Sequence, residues 1–203
     1  MAEPQPDVID TLVGIAPGSA LDRVRARRPV ARAQSQESWR VLFAPDDPGD
    51  VPLVERLAPG AYVTGLHGEA RAAEDYAARL RDHAPPALAE AVAGAIAQTR
   101  TRGPYGRFPP GPPSAEDAAG PGFRVEPATA RALGPRLTAA FAHAHFLVLH
   151  PRDAAPEAFR PLLDAGWSTT GIVTLSQIVA FLSYQVRVVA GLRALAAAAP
   201  PRA

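Results

Sequence analysis

The stretch TTGIVTLSQIVAFLSYQVRVVAGLRALAA, residues 169–197, decides the fold. Its apolar side chains recur every three or four residues, the spacing that places them on one face of an α-helix. The main stripe consists of Ile172, Leu175, Val179, Leu182, Val186 and Val189. A second apolar side is formed by Ile178, Phe181, Val188, Leu192 and Leu195. Because a helix that is apolar on two sides needs more than one partner, the pattern predicts a central core helix that also contributes to a subunit interface.

The same helix is long enough to cross a bilayer, but its polar side chains favour a buried core helix instead. These side chains are Ser176, Gln177, Ser183, Tyr184, Gln185, Arg187 and Arg193. At the other end of the chain, MAEPQPDVIDTLVG lacks the basic region and long apolar run of a signal peptide. We therefore expect a soluble, cytoplasmic protein that makes no membrane contact.

Proline and glycine divide the rest of the chain into shorter helical segments. The expected helices cover residues 20–27, 29–43, 51–66, 70–82, 85–101, 135–150, 156–165 and 169–197. Ser19 and Asp50 are the expected N-caps of two of them, and Pro29 suits a first-turn position. No strand pattern of comparable strength occurs. The sequence therefore predicts an all-α fold.

Between the two helical halves, the stretch 102–127 is rich in proline and glycine and cannot hold a regular ladder of backbone hydrogen bonds. We expect a single domain over residues 1–203, with halves of about 1–101 and 128–203 joined by this long loop. An ordered loop that crosses the domain and a flexible linker are both open interpretations.

Charge and composition narrow the chemistry. The formal net charge is +1 and the basic residues are spread along the chain, which disfavours nucleic-acid binding. All 21 basic residues are arginine, and the chain contains no cysteine. A mechanism through a thiolate, a disulfide or a lysine Schiff base is therefore excluded.

The C-terminal half resembles peroxidase-related proteins of the carboxymuconolactone decarboxylase and alkylhydroperoxidase D superfamily. The shared pattern is a short helix ending in L-x-x-A-G-[FW]-[ST], followed by a long helix ending in A-F-x-x-[FY]-x-x-R. The residues that carry it here are Leu163, Ala165, Gly166, Trp167, Ser168, Ala180, Phe181, Tyr184 and Arg187. The first half resembles a narrower group of uncharacterised proteins with a carboxymuconolactone decarboxylase domain, through DVIDTLVGIAPGS, ARRPVARAQSQESWRVLF, VERLAPGAYVTGLHG and RGPYGRFP. The resemblance implies an alkylhydroperoxidase D-like helical bundle that assembles as a homo-oligomer.

The peroxide-reducing relatives carry a Glu, eleven residues, and then C-x-x-C-x-x-x-H at a helix start. One thiolate attacks the peroxide, the other resolves the product as a disulfide, and His and Glu relay protons. An ungapped match places Leu57 at the Glu, Glu69 at the first Cys, Ala72 at the second and Tyr76 at the His. Peroxidase activity by this route is therefore excluded.

An active-site role for the same region stays open. Glu55, Glu69 and Tyr76 are the candidate catalytic residues, because a buried carboxylate with a raised pKa can serve as a general acid or base. The alternative is that Glu69 is a solvated first-turn acid favoured by the helix dipole. His67 near the helix junction is a candidate ligand-binding residue.

The remaining candidates for ligand binding are Tyr105, Tyr184 and Arg187. Arg187 and Tyr184 are suited to hold an anionic ligand, and Tyr105 in the GPYG turn is placed to close over it. The structural alternatives are a salt bridge, with Glu55 as the first choice of partner for Arg187, and a packing role for Tyr105. His143, His145 and His150 cannot form one metal site within a single helix, so we predict no metal and no cofactor.

Three functions follow as hypotheses. The first is a cysteine-independent small-molecule enzyme that uses acid/base chemistry, and the alternative is a noncatalytic scaffold or subunit that may pair with a cysteine-containing relative. A small-molecule binding protein is a third. An enzyme needs a cavity with a desolvated carboxylate or histidine, whereas a scaffold needs a filled core and an apolar outer surface.

Overall fold

In a computed structural model, which describes residues 6–198, the chain is all-α and ends in the long helix that the sequence predicts. The helices are α1 (Val8–Val13), α2 (Ala20–Ala26), α3 (Pro29–Phe43), α4 (Leu53–His67), α5 (Ala70–His83), α6 (Pro86–Thr99), α7 (Pro127–Leu149), α8 (Arg160–Asp164) and α9 (Thr169–Ala198). Short 3₁₀ turns cover Pro112–Glu116, Pro151–Asp153 and Pro156–Phe159. Residues 6–198 contain no β-strand and one isolated antiparallel bridge, between Gly106 and Ala118.

The core lies around α4 and α9, which pack against each other. Helices α5, α6 and α7 surround α4, and α1, α3 and α7 surround α9. All six residues of the main stripe of α9 are buried, as predicted. By length and composition alone α9 could span a membrane, but half of its most apolar 18-residue window is covered by the rest of the chain. Leu195 is 48% exposed, so the second apolar side of α9 is only partly covered.

Close packing around α4 depends on two glycines. A Cβ on Gly65 would lie 2.6 Å from Ile96 Cδ1, and a Cβ on Gly60 would lie 3.1 Å from the Phe43 ring. Because neither glycine has a side chain, α6 and α3 can approach α4 closely. Every residue of α4 from Arg56 to Leu66 is buried.

The buried cation in α4 is Arg56, which is 6% exposed. Its guanidinium donates to the backbone carbonyls of Val51 at 2.7 Å, Pro48 at 2.8 Å and Leu42 at 3.0 Å. Burial lowers the pKa of Arg56. The side chain therefore joins the end of α3 and the following turn to α4 through hydrogen bonds rather than through an ion pair.

Three helices, α4, α7 and α8, begin at other residues than the sequence predicts, and α1 was not predicted. α8 begins at Arg160, because Pro156–Phe159 forms a 3₁₀ turn. α4 begins at Leu53 after the N-cap Pro52, while Asp50 accepts a hydrogen bond from Ser168 Oγ at 2.6 Å instead of capping the helix. α7 begins at Pro127, because the break at Gly134 (φ 74°, ψ 166°) separates a helical segment before it from the predicted one after it. The sequence analysis assigned no helix at α1, which Asp7 caps through the Asp10 amide.

The Pro/Gly-rich stretch folds back on itself and lies against the end of α7. The Tyr105 amide donates to the Leu149 carbonyl at 2.6 Å, and the Gly106 and Ala118 backbones pair with each other. This arrangement corresponds to the ordered interpretation of the loop.

Candidate functional site

The seven predicted site residues do not share one pocket. His67, Glu69 and Arg187 line one open cleft between the α4–α5 junction and α9. Glu55, Tyr76, Tyr105 and Tyr184 lie elsewhere in the chain. Only three of the seven predicted residues therefore belong to one site.

Glu55 does not pair with Arg187, and that prediction was wrong. Its carboxylate accepts from Nε of Arg136 on α7, at 2.8 Å and 3.0 Å. Arg136 also donates to the Gly166 carbonyl and its guanidinium lies over the Trp167 ring at 4.2 Å. Glu55 thus belongs to a structural contact that holds α4, α7 and the entry to α9 together.

Tyr76 is packed in the core. Its side chain is fully buried, its hydroxyl donates to Gln185 Oε1 at 3.0 Å, and its ring meets Phe43 edge to face at 5.0 Å between centroids. Burial, assisted by the nearby Asp75, raises the pKa of Tyr76. A phenol in this position has no access to a substrate.

The other two tyrosines also make structural contacts. The Tyr184 hydroxyl lies 2.8 Å from Ser35 Oγ on α3, and the side chain is 44% exposed on the opposite side of α9 from the core. The Tyr105 hydroxyl lies 3.0 Å from Thr101 Oγ1. A Cβ on Gly120 would lie 2.1 Å from the Tyr105 ring, so this tyrosine anchors the loop, in line with the packing alternative.

The cleft that keeps three of the predicted residues is named here the His67 cleft. It is an open groove of about 590 Å³, and its wall consists of His67, Gly68, Glu69, Ala70, Val186, Arg187, Ala190 and Arg193. The α4–α5 junction supplies one side and a face of α9 supplies the other. Gly68 has φ +67°, which favours glycine, and it ends α4.

His67 is the half-buried titratable group of this cleft. Its Nε2 lies 3.0 Å from Ser183 Oγ, and its Nδ1 makes no hydrogen bond within residues 6–198. Burial, followed by repulsion from Arg187, lowers the pKa of His67 to about 4. The imidazole is therefore neutral at pH 7 while the cleft is empty, and Nδ1 is the nitrogen that a bound molecule can use.

Glu69 is fixed on one edge of the cleft. Its side chain is 9% exposed, Oε2 accepts from the Ala72 amide at 2.7 Å, and Oε1 accepts from Arg193 at 2.6 Å. The carboxylate thus caps α5 and ties it to α9. Glu69 is better placed to position Arg193 than to exchange protons.

Positive charge dominates the cleft. Arg187 is exposed, donates to the Ser183 carbonyl, and has no carboxylate partner in the described part of the chain. The guanidinium of Arg100 packs over Gly68, where a Cβ would meet its Nη2 at 2.3 Å. Arg187 and Arg193 line the cleft and Glu69 is its only carboxylate, already paired with Arg193, so the cleft is suited to an anion.

Sequence reasoning missed Ser183, Arg193 and Arg100. Ser183 and Ser176 are polar residues seven apart in a helix rich in apolar side chains, and we took them only as evidence against a membrane span. Ser183 Oγ is hydrogen-bonded to His67 on α4, and Ser176 Oγ is hydrogen-bonded to His143 on α7. Arg100 could not have been placed, because it comes from the end of α6 and contacts only the cleft residue Gly68.

Residues 6–198 contain no group of three or more His, Cys, Asp or Glu side chains arranged to hold a metal ion. Comparison with protein families, with curated proteins and with solved structures gives no match to this chain. Membership of a family is therefore a proposal that rests on the motif residues quoted above.

Proposed function

We propose that this chain is a cysteine-free relative of the carboxymuconolactone decarboxylase and alkylhydroperoxidase D proteins, and that it is an acid/base enzyme for small carboxylates. One observation supports the activity above the others. In the His67 cleft, a neutral, half-buried imidazole lies beside Arg187, a guanidinium without a carboxylate partner. A substrate anion and a proton acceptor can be held next to each other there.

Binding of an anion is expected to prepare the imidazole for catalysis. Burial is the larger cause of the low pKa of His67, and repulsion from Arg187 adds to it. A carboxylate on Arg187 offsets that repulsion and adds an attractive charge, so the pKa of His67 rises from about 4. General acids and bases act best when their pKa lies near the working pH. Substrate binding in the cleft therefore brings the pKa of His67 closer to the value that suits a general acid or base.

The reaction we propose is proton transfer at a carbon next to a carbonyl, as lactone isomerisation or decarboxylation requires. In an isomerisation, Nδ1 of His67 takes the proton from one carbon, the electron pair moves into the conjugated carbonyl, and the imidazolium returns the proton at another carbon. No co-reactant is consumed. Ser183 holds the opposite ring nitrogen and so fixes the direction of Nδ1.

The test uses carboxymuconolactone as the substrate and measures carbon dioxide release and lactone isomers at pH 7. We expect turnover by the wild type and a loss of kcat of about 100-fold or more in His67→Gln, the usual size of a general acid/base effect. His83→Gln, at an exposed histidine of α5, is the matched control and should leave kcat unchanged. No turnover by the wild type, or equal turnover by His67→Gln, would overturn the proposal.

The scaffold remains the second candidate because of one apolar surface. Large hydrophobic residues that are 41–52% exposed form this surface, which we call the α9 face: Val41, Phe159, Leu163, Val173 and Tyr184. Two neighbouring grooves on it share Gln177 and Ala180, so the patch is continuous. Exposed apolar patches of this kind mark protein interfaces. We propose that a second copy of this chain covers the α9 face, and a cysteine-containing relative is the alternative partner.

A further inference from the structure

A line of six exposed residues runs along α9 from the α9 face to the His67 cleft. We call it the α9 seam, and it consists of Val173, Gln177, Ala180, Tyr184, Arg187 and Gly191. Successive members are alternately four and three residues apart, so all six lie on one side of the helix. This is the spacing with which one helix packs along another.

The two halves of the α9 seam complement each other in size and chemistry. Two copies of α9 can pack antiparallel about a two-fold axis at the level of Leu182, which lies midway along the seam. Each residue then faces the residue that lies equally far beyond the axis on the other copy. The facing pairs are Val173 with Gly191, Ala180 with Tyr184, and Gln177 with Arg187. Two pairs thus place a large side chain against a small one, and the third places an amide against a guanidinium.

Other arrangements of the same seam fit less well. In a parallel pair every residue faces its own copy, which places two Arg187 guanidinium groups against each other. An antiparallel pair shifted by one layer towards the C-terminus places Ala180 against Gly191 and leaves a gap. A Cβ at Gly191 has no described atom within 4 Å, so there is room at this position for the partner's Val173 instead. The seam therefore favours the antiparallel register centred on Leu182.

Arg187 belongs both to the α9 seam and to the His67 cleft. It lines the cleft, and its guanidinium donates to the Ser183 carbonyl of its own helix. In the antiparallel register the partner's Gln177 lies opposite this guanidinium. An amide oxygen accepts a hydrogen bond from a guanidinium N–H but, unlike a carboxylate, leaves its positive charge unneutralised. The contact can therefore orient Arg187 without competing with an anion for its charge.

We propose that a second copy of the chain completes the His67 cleft, and that its Gln177 accepts a hydrogen bond from Arg187 and holds that guanidinium towards the bound anion. The inference rests on the anion-binding role and on the second-copy interface proposed above. Because the two-fold axis exchanges the copies, each cleft depends on the Gln177 of the other copy. Gln177 is a positioning residue, since it contacts Arg187 and not the substrate.

Disulfide cross-linking tests the register, because the chain contains no cysteine of its own. Gln177→Cys combined with Arg187→Cys should give a covalent dimer on oxidation with copper phenanthroline, since facing residues lie within reach of a disulfide. The two positions are about 15 Å apart along one helix, which excludes a bond within one chain. Each cysteine is also about 15 Å along the axis from its own copy, so neither single variant should cross-link.

The matched control is Ala180→Cys combined with Gly191→Cys. These exposed positions face each other only in the register shifted by one layer, and in the proposed register they are about 10 Å apart along the axis. The control should therefore stay monomeric on a denaturing, non-reducing gel. Cross-linking of the control, or of either single variant, as efficient as that of the Gln177 and Arg187 pair would overturn the register.

Acetate binding tests the contribution of the partner's Gln177 to the cleft. Acetate is titrated into the ¹⁵N-labelled full chain at pH 7, and binding is followed through the imidazole resonances of His67. The wild type should bind acetate saturably, and Gln177→Leu should remain a dimer by sedimentation velocity but bind about 10-fold more weakly. Gln177→Glu should bind more weakly still, because its carboxylate occupies Arg187 in the partner, whereas within one chain it lies about 15 Å away.

The results separate this inference from the proposed activity. It is overturned if the wild type does not bind acetate, or if Gln177→Leu binds acetate like the wild type. If the expected cross-links and acetate affinities are found but carboxymuconolactone is not turned over, the proposed activity fails and the shared cleft stands.

Discussion

The Tyr76 hydroxyl on α5 donates to Gln185 Oε1 on α9 at 3.0 Å, and both side chains are completely buried. In the ungapped match, Tyr76 stands at the position of the histidine of the peroxide-reducing relatives. If the proposed relationship holds, a position that carries chemistry in those proteins is a core contact here. The Nε2 atom of Gln185 has no partner in the described residues, so this contact is only half satisfied.

Tyr76→Phe is expected to lower the free energy of unfolding by about 1–3 kcal/mol, because it leaves Gln185 Oε1 buried without a donor. Tyr76→Phe combined with Gln185→Leu should recover most of this loss, since both polar groups are then removed. Urea unfolding followed by circular dichroism measures both variants. If Tyr76→Phe is as stable as the wild type, the hydrogen bond does not contribute to stability.

The pKa of His67 predicts a pH dependence of stability. The pKa falls from an ordinary 6.5 to about 4 on folding, so the unfolded chain binds more protons between these values. The contribution of His67 to stability is therefore complete above about pH 6.5 and is lost as the pH falls to about 4. Unfolding free energies from pH 8 to pH 4 should decline less steeply in His67→Gln than in the wild type. His83→Gln should follow the wild type, and parallel curves for all three proteins would contradict the prediction.

Arg56→Ala is expected to destabilise the protein by about 3 kcal/mol or more, because four backbone carbonyls lose their charged donor. Arg56→Lys should rescue little of this, since one ammonium cannot reproduce the planar fork that serves carbonyls on two sides. Thermal unfolding gives the comparison. Full rescue by lysine would show that charge alone, and not the shape of the group, is required.

Val173→Asp tests the α9 face. Val173 is 52% exposed, so a charge there costs little in a monomer but disrupts an apolar interface between copies. Sedimentation velocity should show a homo-oligomer for the wild type and a monomer for the variant. Val30→Asp is the control, because Val30 is 72% exposed on α3 outside this face and should leave assembly unchanged. A monomeric wild type would exclude the second-copy proposal.

Local signals in the sequence predicted much of the fold. Ser19 caps α2 through the Asp22 amide and Pro29 begins α3, as their preferences indicate. The period of α9 predicted its length and its buried stripe. The part of α7 before Gly134 was not predicted. From the sequence alone, a glycine that interrupts a helical segment with a positive φ cannot be distinguished from a helix boundary.

The site was predicted less well, because its partners are far apart in the chain. Glu55 and Arg136 are 81 residues apart, and only the packing of α4 against α7 selects this pair over Glu55 with Arg187. His67 and Glu69 were found because they lie at one helix junction. Tyr76 lies about two helix turns after Glu69 and is fully buried. No local pattern in the sequence distinguishes a buried tyrosine from one that lines a cleft.

Ser176 and Ser183 lie seven residues apart on α9, so they project on the same side of the helix about 10.5 Å apart along its axis. Ser176 is bound to His143 and Ser183 to His67. A rotation of α9 that withdraws one serine from its histidine therefore withdraws the other as well. The two hydrogen bonds therefore fix the rotation of α9 about its own axis against both α4 and α7.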